Sequence, residues 1–255
     1  MLSGYAYLYD ERLNDRKHDR EISQLEAEIS RRGLNGRVGK FALFRHARDI
    51  VADLIRSGAQ TLVVVGDDKT LFTAISALGD ATPMIGFIPL LGSGPVSKSL
   101  GLPKGLASID TLAARFNETI DLGMVSGRAF LSELIVDGPG ISLHVDSQFK
   151  IEPPPNGSLC IRNLGESCDA HDGKLDAFII PAVEKRRFTW KRESEAPQTH
   201  LCFTKAELKR SVAGSCLVDG LPMEGETLEL SIKPKALKII TSRRGRGMLA
   251  GSGNL

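Results

Sequence analysis

A turn with one glycine lies between an apolar run and a helical pattern in the first half of the chain. The apolar run is Thr61–Val65, and the turn that follows reads Gly66-Asp67-Asp68-Lys69-Thr70. Glycine lets the backbone approach a phosphate group, and the N–H groups at a helix start face that anion. A lysine adds a point charge for phosphate. The predicted nucleotide-binding residues of this turn are Gly66, Asp67, Lys69 and Thr70.

The acidic residues of this turn favour two different interpretations. A carboxylate about 4 Å from a phosphate charge costs roughly 4 kcal/mol near a protein surface. A Mg²⁺ ion held by Asp67 or Asp68 would reverse that sign. Alternatively, the two aspartates cap a helix that begins near Thr70, a role that suits aspartate. Both interpretations remain open from the sequence.

A second glycine-containing turn follows the next apolar run, Met84 to Leu90. It reads Gly92-Ser93-Gly94-Pro95, and its two glycines allow close approach of the backbone to a ligand. We expect Gly92, Ser93 and Gly94 to bind nucleotide. The alternative is an ordinary helix start, with Ser93 as the cap and Pro95 in the first turn.

Apolar runs alternate with amphipathic patterns from the N-terminus to about residue 116. Strands without alternation indicate a sheet that helices cover on both faces, and strand–helix–strand order favours parallel pairing. Thr61–Val65 is the clearest strand and should be central. The predicted strands are Tyr5 to Tyr9, Arg37 to Phe44, Thr61 to Val65 and Met84 to Leu90, and helical apolar positions are Ile22, Leu25, Ile29, Val51, Leu54, Ile55, Leu71, Ala74, Ile75 and Leu78.

The pattern changes to short strands between turns past about residue 120. We therefore predict an α/β domain over residues 1–115 and a β-rich, sandwich-like domain over residues 116–255, with strand 1 of the α/β domain partly completed by C-terminal residues. The predicted strands of the second half are Ile141 to Val145, Ser158 to Ile161, Ala177 to Ile180, Thr199 to Phe203 and Thr227 to Ile232.

Several blocks of the chain, taken in order, resemble diacylglycerol kinases, bacterial lipid kinases and NAD kinases. The first turn is similar to their G-G-D-G-T, and Ser99-Leu100-Gly101-Leu102-Pro103 to their S-L-G-x-P. Asp172–Asp176 is similar to D-G-x-L-D, and Val218-Asp219-Gly220 to V-D-G-E. The segment from Ile232 to Leu237 lies where the family places a proline-led strand. The resemblance implies a Rossmann-like, mostly parallel α/β domain followed by a β-rich domain.

The resemblance also implies an activity, namely transfer of the γ-phosphate of ATP to a lipid hydroxyl. Asp219 would be the general base, Asp68 would act with it, and Asp172 and Asp176 would hold Mg²⁺. Leu221 stands where the family has a glutamate, which removes one oxygen ligand. ATP and Mg²⁺ are the implied cofactors.

Other functions also fit these motifs. A relative without catalysis would use the same fold to bind a nucleotide, a lipid or a protein partner, and NAD phosphorylation is a further alternative. Asp219-Gly220 is also a common hairpin turn, which would explain both residues without catalysis.

The overall composition narrows the partners. A net charge of +2 gives no reason to expect nucleic acid, no apolar stretch reaches 18 residues, and the four cysteines lack C-x-x-C spacing. We expect a cytoplasmic protein, with at most peripheral contact at the inner membrane surface, that binds a nucleotide and a lipid substrate and forms a homodimer. Trp190, amid basic residues, is one position that could rest at a membrane, although a solvated edge strand is the preferred interpretation.

Overall fold

The computed structural model describes residues 4–41, 46–146, 149–154, 157–165, 167–180, 199–211 and 215–250. The chain divides into two compact units. The first consists of Met1–Leu122, Leu164–Asp172 and Pro234–Leu255, and the second of Gly123–Asn163 and Gly173–Lys233. Trp190 and its basic neighbours lie outside the described residues.

Strands outnumber helices in the described chain. In chain order the strands are β1 (Tyr5–Tyr9), β2 (Gly36–Lys40), β3 (Thr61–Val65), β4 (Met84–Ile88), β5 (Asn117–Val125), β6 (Arg128–Phe130), β7 (Glu133–Asp137), β8 (Ile141–Val145), β9 (Phe149–Ile151), β10 (Ser158–Arg162), β11 (Leu175–Ile180), β12 (Thr199–Phe203), β13 (Lys205–Arg210), β14 (Cys216–Val218), β15 (Leu221–Pro222) and β16 (Thr227–Ile240). The helices are α1 (Asp19–Arg31), α2 (Ala47–Arg56), α3 (Asp68–Ser76), α4 (Pro95–Ser99), α5 (Ser108–Ala114) and α6 (Arg243–Leu249). Three short 3₁₀ turns lie at Glu11–Asn14, Arg16–His18 and Gly105–Ala107.

The first unit contains a parallel sheet in the order β2, β1, β3, β4. The C-terminal part of β16 extends it, because Lys238 and Ile239 pair in parallel with Met84 and Ile85. All five residues of β3 are buried, as a central strand requires. The predicted α/β domain with a mostly parallel sheet is therefore confirmed.

The helices of the first unit turn their apolar stripes toward this sheet. On α1, Leu25 and Ile29 are buried, and Gly33 follows the helix with φ 68°. Leu25 and Ile29 pack in one core with Tyr7 and Val63 from the sheet. The 3.6-residue spacing read from the sequence therefore predicted the buried face correctly.

The second unit is built from antiparallel strands. One set contains β9, β8, β13 and the start of β16, and a six-stranded sheet has the order β12, β11, β10, β7, β14, β15. Side chains from both sets share one core, among them Leu143, Leu208, Leu134 and Leu159. Such packing of two inner faces is that of a β-sandwich, so the β-rich prediction is confirmed.

The units are not divided once at residue 115, as the sequence suggested. Residues 164–172 and 234–255 return to the first unit. The strand predicted to Ile232 and the proline-led segment after it form one continuous strand that runs to Ile240, and its end pairs with β4 and not with the first strand. The reason is that Leu237, Ile239 and Ile240 are buried apolar residues that belong to the first unit. Among the described residues, none of the helices combines the length and the apolar character needed to cross a bilayer.

Candidate functional site

Gly66 directly follows β3, and its position admits only glycine. A Cβ atom there would collide with the Thr70 side chain. Asp67 is the cap of α3, since its Oδ1 accepts the Thr70 N–H at 3.0 Å while the Thr70 hydroxyl accepts the Asp67 N–H at 3.2 Å. The capping interpretation is thus confirmed for Asp67. Lys69, in the first turn of α3, is exposed.

Asp10 and Arg12 complete a charged cluster at this turn. Arg12 Nη2 lies 2.7 Å from both Asp10 Oδ2 and Asp67 Oδ2, and the Thr70 hydroxyl donates to Asp10. Burial raises the pKa of Asp10, but hydrogen bonds from Arg12 and Thr70 outweigh it and lower the pKa below its ordinary value. The same balance, again with Arg12 and Thr70 as donors, lowers the pKa of Asp67. Both carboxylates are therefore charged at neutral pH, with Arg12 between them.

The second turn meets the first through Asp68. The buried Asp68 carboxylate accepts the Val96 N–H at 2.9 Å, at the start of α4. Gly94 packs so closely that a Cβ would collide with this carboxylate. Burial raises the pKa of Asp68, against the opposing effect of N–H groups on α4.

The capping role expected for Ser93 was wrong. Gly94 is the residue before α4 and has no side chain to cap the helix, and Pro95 takes its first position as expected. Ser93 is exposed. The Asp68 carboxylate, which comes from the neighbouring turn, supplies the acceptor that a serine cap would have given.

The position of the charged cluster in the sheet gives it functional interest. β1 lies between β2 and β3, so the chain order reverses between β1 and β3. Ligands of open parallel sheets bind outside the carboxyl ends of the strands at such a reversal. Asp10 directly follows β1 and Gly66 directly follows β3. We therefore take Asp10, Arg12, Asp67, Lys69 and Thr70 as the candidate site.

Asp10 and Arg12 were missed from the sequence, where they only separated a strand from a helix. Their position in the sequence could have identified them, because a polar residue directly after a buried parallel strand lies at the edge of the sheet where ligands bind. Nothing local linked Arg12 to Asp67, since 55 positions separate them in the chain.

Asp219, the predicted base, lies in the second unit at the tip of the β14–β15 hairpin. Asp219 and Gly220 both have positive φ, 51° and 72°, as a two-residue hairpin turn of type I′ requires. The carboxylate accepts N–H groups of Leu131 at 2.8 Å, Ser132 at 2.8 Å and Glu133 at 3.0 Å. Burial raises the pKa of Asp219 to about 6 despite these donors. The hairpin interpretation is confirmed, and the carboxylate holds the start of β7.

The predicted metal residues Asp172 and Asp176 belong to different units. In the described part of the chain, Asp176 is grouped with His200 and Cys202, and Asp172 is not in that group. Mg²⁺ prefers oxygen ligands, whereas two of these three donors are nitrogen and sulfur. The residues around Asp176 therefore do not fit a magnesium site.

Comparisons with known proteins define the class to which this fold belongs. A crystal structure of a diacylglycerol kinase from Bacillus anthracis str. Sterne superposes with a TM-score of 0.75 at 12% identity, covering 94% of this chain and 97% of that one. Yeast NADH kinase complexed with NADH gives a TM-score of 0.62 at 10% identity, covering 98% of this chain and 88% of that one. The fold is that of the NAD kinase and diacylglycerol kinase-like superfamily.

A family model narrows this class. Residues 6–125 match the diacylglycerol kinase catalytic domain, a segment that contains both glycine turns and the charged cluster. No curated protein sequence matches the chain. The resemblance read from the sequence is thereby confirmed.

Proposed function

We propose that this protein is a lipid kinase-like phosphotransferase that moves the γ-phosphate of ATP to a lipid hydroxyl. The family match and the fold support this class of reaction. The observation that carries the proposal is the placement of Arg12 and Lys69 at the carboxyl ends of β1 and β3. Phosphoryl transfer depends mainly on positioning and on neutralising phosphate charge.

Arg12 reduces the electrostatic repulsion between the aspartates of this site and a bound phosphate. Asp67 alone would repel a phosphate about 4 Å away by roughly 4 kcal/mol. Arg12 contacts Asp67 and Asp10 together, so the guanidinium offsets part of their charge, while exposed Lys69 faces solvent. In this proposal Lys69 and the backbone at Gly66 receive the phosphates, and the nucleotide brings its own Mg²⁺.

Asp219 is the proposed base for the acceptor hydroxyl. A pKa of about 6 suits proton transfer near neutral pH. An ionised carboxylate offers about four acceptor positions, and three are taken by N–H groups of the β6–β7 connection, which leaves one for a hydroxyl.

One observation favours a second candidate, a nucleotide- or lipid-binding protein without catalysis. The Asp67 carboxylate accepts a hydrogen bond from the Thr70 N–H at the start of α3, and the Asp68 carboxylate accepts one from the Val96 N–H at the start of α4. These N–H groups are the ones that would otherwise face an anion. Because these carboxylates already accept hydrogen bonds at both helix N-termini, they compete with a phosphate for the same N–H groups.

Nucleotide binding and phosphate transfer separate the two candidates. We expect Mg-ATP to raise the thermal midpoint of the full chain, and labelled phosphate to pass from ATP to diacylglycerol in mixed micelles. Asp219→Asn should abolish transfer while the Mg-ATP shift remains, and Asp137→Asn, an exposed aspartate on β7, serves as the matched control. Binding without transfer in the unmodified chain supports the second candidate, and NAD in place of lipid tests the NAD kinase alternative.

Restoring the family glycine at position 67 tests the site directly. Asp67→Gly removes the carboxylate from the start of α3 and frees the Thr70 N–H. We expect tighter Mg-ATP binding, by about tenfold for each 1.4 kcal/mol of repulsion removed, at a cost of a few tenths of a kcal/mol in stability. Unchanged or weaker binding measured by calorimetry would contradict a phosphate site at this turn.

A further inference from the structure

Three side chains of different chemistry converge on β11 and β12, at one edge of the six-stranded sheet. His200 Nε2 lies 2.7 Å from Asp176 Oδ1, Cys202 Sγ lies 3.2 Å from the same oxygen, and Sγ lies 3.6 Å from Nε2. One nitrogen, one sulfur and one oxygen thus surround a single point. Within the described residues, Asp176, His200 and Cys202 are the set of side chains whose donor atoms lie close enough together to bind one metal ion.

Strand pairing fixes this arrangement. β11 and β12 are antiparallel, with Asp176 opposite Cys202 and Phe178 opposite His200. Residues two apart on a strand share a face, so all four side chains lie on the same side of the sheet. The His200 ring also stacks on Phe178, with ring centroids 4.8 Å apart and planes 5° from parallel. The imidazole is therefore oriented before any ligand arrives.

The distances match the needs of a tetrahedral ion. Zinc bonds of about 2.0–2.2 Å to nitrogen and oxygen and about 2.3 Å to sulfur place tetrahedral ligand atoms roughly 3.3–3.6 Å apart. Two of the three observed separations lie near that range, and the third needs a widening of about 0.6 Å once a metal replaces the hydrogen bond. Rotations of the side chains supply such a change.

The geometry argues against a cysteine nucleophile with a histidine base. In that arrangement the two imidazole nitrogens act separately, one toward the nucleophile and the other toward the carboxylate. Here Nε2 alone contacts both Asp176 and Cys202. A shared nitrogen cannot relay a proton between them, whereas convergent donors are what a metal ion requires.

Charge and access also favour a cation. The Asp176 side chain is 6% exposed, while that of His200 is 42% exposed and Cys202 is exposed, so an ion reaches the buried carboxylate past two solvent-facing ligands. Arg162 is opposite Asp176 on β10, but its Nε lies 3.1 Å from Glu133 Oε2. The Glu133 carboxylate offsets that positive charge.

We propose that Asp176, His200 and Cys202 bind one zinc ion, with the fourth position open to water or an external ligand. Thiolate, imidazole and carboxylate are a zinc donor set, and hard Mg²⁺ is the wrong metal for it. The site lies in the second unit and is independent of the proposed kinase reaction.

Metal titration of the chelator-treated full chain tests this site. We expect calorimetry to show one equivalent of Zn²⁺ bound, with no competition from excess Mg²⁺, and a rise in thermal midpoint because the ion binds the folded state. Co²⁺ should give visible bands of a tetrahedral site and a sulfur-to-cobalt absorption in the near-ultraviolet.

Two variants and a control assign the ligands. Cys202→Ser should remove the sulfur-to-cobalt absorption, and His200→Ala should weaken Zn²⁺ by more than about 100-fold, since losing even an outer partner costs about 10–100-fold. His144→Ala, on β8 of the same unit, should change nothing. Circular dichroism without metal verifies that each variant folds. Absence of stoichiometric zinc in the unmodified chain, or an unchanged absorption in Cys202→Ser, would overturn the proposal.

Discussion

Single carboxylates in this protein differ in what surrounds them, and that difference decides what each can do. Asp10 and Asp67 share Arg12 and have lowered pKa values, whereas Asp68 and Asp219 are buried without an ion pair in the described chain and have raised pKa values. The acids of the candidate site are therefore fixed anions. Asp219, in contrast, changes its charge near neutral pH.

The raised pKa of Asp219 makes stability depend on pH. The folded chain holds this proton up to about pH 6, while an ordinary aspartate loses it near 3.8. Because the folded state binds more protons between these values, the Asp219 contribution to the free energy of unfolding falls as pH rises from about 4 to 6, by up to about 3 kcal/mol. Urea unfolding of the unmodified chain and of Asp219→Asn, whose side chain does not titrate, should show a difference that follows this slope. A difference that stays constant over this pH range would contradict it.

The turn after β3 and the turn after β4 pack against each other closely, and a glycine at position 94 makes this possible. Gly94 lies against the Asp68 carboxylate, which in turn holds the start of α4. The contact of Asp68 with Gly94 and α4 therefore joins the turn after β3 to the turn after β4.

A methyl group at Gly94 should break this contact. We expect Gly94→Ala to lower the free energy of unfolding by about 1–3 kcal/mol, the usual cost of overpacking, as measured in urea. Gly247→Ala in α6 is the matched control, because a Cβ there meets nothing within 4 Å, and it should be neutral or stabilising by up to about 1 kcal/mol. Equal effects at the two positions would show that Asp68 is not held in this way.

Sequence patterns predicted the elements better than their contacts. The apolar run at β3 and the Asp219-Gly220 turn were recognised because burial and positive φ leave local signatures. The pairing of Arg12 with Asp67, and of His200 and Cys202 with Asp176, depends on strand order and register. Neither is encoded in a local run of residues, so the cluster and the three-donor group became visible only in the fold.

At the scale of the whole molecule, the two units are interleaved in sequence. The first is completed by residues 164–172 and 234–255, which follow segments of the second. Of these late residues, Leu237, Ile239 and Ile240 are almost fully buried. The parallel sheet of the first unit therefore depends on the end of the chain.

Shortening the chain tests this dependence. A chain that ends at Lys233 loses four buried aliphatic side chains, Leu237, Ile239, Ile240 and Leu249. Each is worth about 2–5 kcal/mol, so the loss is comparable to the whole stability of a domain at about 5–15 kcal/mol. We expect amide hydrogen exchange to show that β3 loses its protection. A chain that ends at Ala250 keeps every described contact of β16 and α6 and should retain it. Protection of β3 in the shorter chain would contradict the assignment.

The late return of β16 to the first unit has a consequence for synthesis on the ribosome. At about 5–20 residues per second, translation of residues 123–233 takes roughly 5–20 s, during which β4 can pair with β3 but lacks its second partner, β16. The β4 edge of the N-terminal sheet therefore stays unpaired during this time, and the sheet is completed only after β16 has left the exit tunnel. Nascent chains of this protein should for that reason need protection from chaperones longer than a chain whose first domain is contiguous.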